Sequence, residues 1–210
     1  MQKSIDIKEA LQFGWTTLRN QFTFFLKVLA VLIVISILPA IAVNKVSAAA
    51  GPILGIPLQF LNLAWQAILG MGVVKICLKL HDRRTVEIPD LWSCAARTLD
   101  YVIVKVLFAL IVILGLLLLV VPGCVWFLQF YMASYLVVDR GDAALAALKR
   151  SSAITDGAKG DLAAFTAVML AINLAGLLFF GVGVLITMPV TLLASVFVYR
   201  KLLDQTGASA

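Results

Sequence analysis

From Val106 to Val138 the chain holds no charged residue. One straight helix of that length would run about 50 Å at ~1.5 Å per residue, against a bilayer hydrocarbon core of ~30 Å. Charge brackets the run, with Asp100 and Lys105 before it and Asp139 and Arg140 after it. Pro122-Gly123, a turn dipeptide, lies in its middle. The pattern therefore predicts a membrane hairpin over 101–139 that reverses at Pro122-Gly123, with both ends on one side. Four further apolar runs, 22–43, 53–80, 162–180 and 184–199, are each long enough to cross once. The predicted fold is all-α: a bundle of six transmembrane helices.

Three segments carry a different pattern. In 5–18, Ile7, Ala10, Leu11, Gly14, Trp15 and Leu18 recur at helical spacing, with Lys8, Gln12, Thr16 and Arg19 opposite. Asp6 is placed to cap this helix, with Glu9 three residues on. In 88–99, Ile88, Leu91, Trp92, Ala95 and Leu99 predict one helix face, and Pro89 suits its first turn. In 142–155, Leu145, Leu148, Ser152 and Thr155 share a face while Lys149 and Arg150 point away. Gly157 and Gly160 end that helix. Each segment leads into a span, so the pattern predicts amphipathic helices lying in the membrane interface. Residues 5–18 and 86–99 also align loosely in acidic, apolar and aromatic positions. The chain thus reads as three units, about 4–80, 86–139 and 141–201, each an interfacial helix followed by a membrane hairpin, in one integral domain.

Composition agrees. The chain is 62% hydrophobic and 13% charged, against about half apolar and a quarter charged in soluble domains. Threading six spans puts every Lys and Arg except Lys45 on one side, together with all the acidic residues. By the positive-inside rule that side is the cytoplasm, and both termini lie there. The net charge of +6 then reports membrane topology and not a nucleic-acid face. Cys124 falls on the side opposite Cys77 and Cys94, so no bridge can join it to either. The other two are expected to stay reduced in the cytoplasm.

Candidate chemistry is sparse. Gln59, Asn62 and Gln66 fall on one face of the second span. With Gln129 and Asn173 they form a candidate intramembrane polar stripe, read either as interhelical hydrogen bonding or as the lining of a path. Ala167, Ala171 and Ala175 permit close helix packing in the fifth span, and Thr187, Thr191 and Ser195 form a hydroxyl row in the sixth. Lys8, Arg19, Arg97, Lys149 and Arg150 are candidate contacts to anionic lipid. His81, the only histidine, sits among Asp82, Arg83 and Arg84 and is expected to be a solvated loop residue without a second metal ligand. No metal, cofactor or catalytic set is implied.

Residues 100–201 also resemble a group of bacterial integral membrane proteins. Leu114-Gly115, Pro122-Gly123, Tyr131, Ala133, Tyr135, Asp139, Ala144, Leu145, Ser151 or Ser152, Gly157, Pro189 and Tyr199 carry the likeness. That group is related to the membrane domain of some glycerophosphoryl diester phosphodiesterases and to YciC-like proteins. The resemblance implies six spans in a bacterial inner membrane and transfers no catalytic residue. The expected function is a non-enzymatic membrane protein that binds or organises membrane lipid, envelope components or a partner protein. The alternative is a small transporter or channel lined by the second span. An intramembrane enzyme ranks below both, because paired carboxylates and Ser/His or Cys/His pairs are missing at membrane depth.

Overall fold

The computed structural model describes residues 4–178 and 183–207, and these are all-helical, with no strand. Asp6 caps α1 (Ile7–Asn20), its carboxylate accepting from the backbone N–H groups of Lys8 and Glu9 at 2.9 and 3.1 Å. One helical run, Phe22–His81, breaks at Gly51, whose φ of 71° suits a residue without Cβ. The break divides it into α2 (Phe22–Ala49) and α3 (Ile53–His81). Two 3-10 turns follow, Ile88–Trp92 and Ala95–Arg97. Then come α4 (Thr98–Leu118), α5 (Val120–Phe130), α6 (Ala133–Arg140), α7 (Ala144–Thr155), α8 (Lys159–Leu178) and α9 (Val184–Gln205). Among the described residues six stretches are long and apolar enough to cross a membrane, in the places the apolar runs predict. The final residues of the fifth predicted span, 179–180, lie outside the described residues.

The spans pair as antiparallel hairpins. In α2/α3, Ser47 lies against Gly55, Asn44 against Gln59, and Ile35 against Trp65. In α4/α5, Phe108 meets Phe127 at a ring separation of 5.6 Å and Gly115 faces Gly123. This second hairpin does not reverse at Pro122-Gly123. The reversal is at Leu119, whose φ and ψ are −164° and 144°, and both residues of the dipeptide lie in the first turn of α5. A proline is tolerated there because the first N–H groups of a helix lack intrahelical partners. Gly123 serves packing instead: a Cβ on it would lie 2.7 Å from the Leu116 backbone nitrogen, and one on Gly115 would lie 2.8 Å from the Gly123 Cα. The two glycines let the helices touch beside the turn. Likewise, α8 and α9 close on Gly176, where an added Cβ would lie 2.6 Å from the Thr187 hydroxyl. The alanines 167, 171 and 175 face outward and do not make that contact.

Burial divides the bundle along its length. Towards the α2–α3 and α4–α5 turns, large apolar side chains such as Leu38, Leu61, Leu110, Leu117 and Leu174 are exposed, as lipid-facing positions must be. Towards the charged end, most of Met71–Leu80 of α3, Ala133 and Tyr135–Val138 of α6 and most of the second half of α9 are packed into a core. The first and last described residues meet at that end, with the Gln205 side chain donating to the Ser4 carbonyl at 3.1 Å.

That core absorbs the amphipathic segments. α1 runs antiparallel along α9, with Glu9 on Lys201 at 2.7 Å and Phe13 against Phe197 at 5.3 Å. Its buried face is Ala10, Gly14 and Leu18, and Trp15 points outward. Residues 88–99 do not form the single helix face predicted. Glu87 and Asp90 build a reciprocal cap at the start of the 3-10 turn Ile88–Trp92, which holds Pro89 in its first positions, and Ile88, Trp92 and Leu99 are exposed while Leu91 is buried. Leu91 lies directly on α3, where Gly72 leaves room for its backbone. In α7 the buried face is Ala144, Ala147, Leu148, Ser151 and Thr155, so Leu145 is exposed against expectation. The hydroxyls explain the shift, because Ser151 and Thr155 both donate to the Gln129 carbonyl, at 2.8 and 3.2 Å.

A Cβ on Gly72 would sit 2.2 Å from the Leu91 carbonyl oxygen, a backbone atom that cannot swing aside. Gly72→Ala is expected to cost roughly 1–3 kcal/mol by forcing the 88–92 strap off α3. Gly160→Ala, which meets nothing within 4 Å, is expected to be neutral or slightly stabilising. Thermal unfolding midpoints of the two variants in detergent compare them; equal midpoints contradict the packing described.

Candidate functional site

The helices enclose an apolar groove of about 490 Å³ between α2, α3, α8 and α9. Phe25, Val28, Leu32, Val73 and Ile76 form one wall, and Leu185, Met188 and Leu192 another. Pro189 also lines it, and the missing N–H of that proline leaves the Leu185 carbonyl without its helical partner. Polar groups gather against these apolar walls. Asn173 Nδ2 donates to the Met169 carbonyl at 2.9 Å and to Thr191 Oγ1 at 3.2 Å. Ser195 Oγ donates to the Thr191 carbonyl at 2.8 Å and lies 3.1 Å from the Tyr131 hydroxyl. Asn173 Oδ1 and, in the same region, Thr187 Oγ1 are buried with no hydrogen-bond partner among the described residues. An apolar slot with a few convergent hydroxyl and amide groups is the usual form of a small-molecule or lipid site.

From the groove an aromatic column rises to the charged end. Tyr131 and Tyr135 have ring centroids 6.3 Å apart, and Tyr135 stacks on Tyr199 at 5.6 Å. The Tyr199 hydroxyl donates to Asp139 Oδ2 at 2.9 Å. Arg200 grips the same carboxylate with two bonds, Nη1 to Oδ2 at 2.8 Å and Nη2 to Oδ1 at 3.0 Å. Its Nη2 also reaches Asp82 Oδ2 at 2.7 Å. Planar guanidinium suits this two-point grip. The cluster ties α9 to the ends of α6 and α3. Beside it, His81 is not a solvated loop residue. It is the last residue of α3 and is partly buried, its ring 5.1 Å from Phe13 and 5.9 Å from Phe197.

The predicted polar stripe is distributed over three places. Gln59 Nε2 donates to Asn44 Oδ1 at 2.9 Å and Gln66 Nε2 to the Ser36 carbonyl at 3.3 Å, so both staple the α2/α3 hairpin. Asn62 lies between them, its Oδ1 buried without a partner among the described residues. Gln129 docks α7 through Ser152 at 2.6 Å. Only Asn173 reaches the groove. The predicted lipid-contacting cations also divide. Arg97 donates to the Gly141 carbonyl, holding the left-handed turn after α6, and Arg150 pairs with Asp142 at 2.9 Å. Lys8, Arg19 and Lys149 are exposed, and none makes an ion pair among the described residues. Sequence reasoning passed over Arg200, Asp82 and the partner role of Asp139. The available signal was opposite charge at the same edge of three spans, and nothing local says which carboxylate meets which cation. Among the described residues no group of three or more His, Cys, Asp or Glu side chains could hold a metal ion, and the cysteines are free thiols.

Arg200→Met leaves Asp139 and Asp82 without the guanidinium that joins them, with Arg140 at 3.6 Å from Asp139 as a remaining nearby cation. The expected loss is ~3–5 kcal/mol, and the double variant Asp139→Leu/Arg200→Met is expected to lose less than the sum of its singles. Unfolding of purified variants in a denaturing detergent series measures both; additive losses contradict the coupling. Comparison with known proteins identifies no relative: no family model, curated protein or solved structure matches the chain.

Proposed function

We propose that this chain is a lipid-binding, non-enzymatic protein of a bacterial inner membrane, with both termini in the cytoplasm. The groove carries the reading. It lies beside helices whose outward faces are apolar, so an acyl chain in the surrounding leaflet shares its environment. Its polar wall suits a lipid hydroxyl, because the acceptor Asn173 Oδ1 lacks a partner among the described residues. An unpaired buried polar group costs about 1–3 kcal/mol, which a bound hydroxyl donor offsets. The charge asymmetry supports the orientation, and the resemblance of residues 100–201 supports the compartment. The three-unit plan belongs to the same reading: each charged-end segment precedes a membrane hairpin in the chain. Of the five predicted lipid-contacting cations, Lys8, Arg19 and Lys149 are free to attract anionic headgroups, each contributing ~1 kcal/mol at low salt. The pairing of Gln59 and Gln66 across α2/α3 favours this reading over a transport path lined by the second span.

The test fills the groove. Leu29→Trp adds an indole to its wall, while Leu54→Trp adds one at an exposed position near the α2–α3 turn. The first variant is expected to retain roughly tenfold less phospholipid after detergent purification, and the second to match the parent. Equal phospholipid by mass spectrometry in all three proteins removes the groove as the site.

A further inference from the structure

A second cavity, about 560 Å³, opens at the charged end between the end of α3, the end of α6 and α9. Its lining includes Lys75, Lys79, Arg84, Arg140 and Arg200 against Asp82, Asp139 and Asp204. The carboxylates are largely engaged. Asp139 is held by Arg200 and Tyr199 and lies 3.6 Å from Arg140, and Asp82 is held by Arg200. Lys79 is committed to Asp90, outside the cavity. Lys75 and Arg84 make no ion pair among the described residues. Arg200 Nε is a buried donor with no acceptor there. The cavity therefore presents uncommitted cationic donors, while most of its negative charge is already matched.

We propose that this cavity is an anion site for a phosphate group. Phosphate fits the donor set because it takes several charge-assisted hydrogen bonds from guanidinium and ammonium groups at once. Lys75 and Arg84 supply the attraction and the hydrogen bonds, and Arg200, fixed by its two carboxylates, adds a guanidinium to the cavity wall. Two sources share this chemistry, a free phosphate from the cytosolic side and the phosphate of an anionic lipid headgroup. The site is separate from the groove and does not depend on it, since the Tyr135–Tyr199 stack stands between them.

The experiment has two arms on the full chain in neutral detergent. One titrates inorganic phosphate by calorimetry. The other measures, by mass spectrometry, retention of phosphatidylglycerol over phosphatidylcholine from an equal mixture. Lys75→Gln/Arg84→Gln is expected to weaken one arm by about tenfold, corresponding to the loss of one or two charge-assisted contacts. Loss in the phosphate arm assigns a free anion; loss in the lipid arm alone assigns a headgroup. Lys159→Gln, a partly exposed charge at the α7–α8 junction paired with Asp156, is expected to change neither. If the double variant fails to fold, Arg84→Gln alone, at an exposed loop position, carries the test with a smaller loss in the same arm. Binding unchanged in both arms, or lost equally in Lys159→Gln, overturns the proposal. A groove-filled Leu29→Trp protein that still binds phosphate separates this site from the groove.

Discussion

One guanidinium organises the charged end. Arg200 sits between Asp139 and Asp82, with bonds of 2.7–3.0 Å to carboxylates from two other helices. Such a cluster contributes little net stability, because desolvating three charges costs about what their attraction returns. Its effect is on specificity. Arg200 can be satisfied only if the ends of α3, α6 and α9 arrive together, and that fixes how far each span is drawn towards the charged end. Tyr199 adds the fourth contact and stacks on Tyr135, so the register set by charge passes down α9 into the apolar half. There Ser195 and Thr191 meet Tyr131 and Asn173, and the groove opens beside them between α2, α3, α8 and α9.

The apolar half obeys a different rule. Lipid supplies no hydrogen bonds, so every polar group at that depth has to find a partner within the protein or its ligand. Most do: Gln59, Gln66 and Trp65 bond across the α2/α3 hairpin to partners on α2. The exceptions mark what is unusual. Asn62, Asn173 and Thr187 retain unpaired buried atoms among the described residues. Asn173 lines the groove and Thr187 packs on Gly176 close by. Glycines at 115, 123 and 176 let spans touch where there is no hydrophobic force to press them together.

The spans and their pairing were legible from the chain because length and charge bound them tightly. A run of uncharged residues too long for one crossing has to fold, and only its turn was misplaced, by three residues. Pro122-Gly123 is a turn signal in water, yet at a helix start proline costs nothing and glycine serves packing. The amphipathic segments were legible as segments but not in their faces. Helical periodicity treats Trp15 and Leu145 as equals of Ala10 and Ala147, whereas close helix contact selects the small residues and leaves the large ones outside. The candidate site was the least legible part. It assembles Asn173, Thr191, Ser195 and Tyr131 from three separate runs, and its ionic neighbour joins residues 118 positions apart. Hydroxyls that can bond to their own helix carry no local mark of that convergence.

The groove is the centre of this account, and its contents are directly observable. The measurement is a high-resolution map of the chain in a nanodisc of native lipid. The account predicts elongated density along Val28, Val73 and Leu192, ending within hydrogen-bond distance of Asn173 Oδ1. A groove closed by α2 packing onto α8 and α9, with Asn173 paired inside the protein, would contradict it.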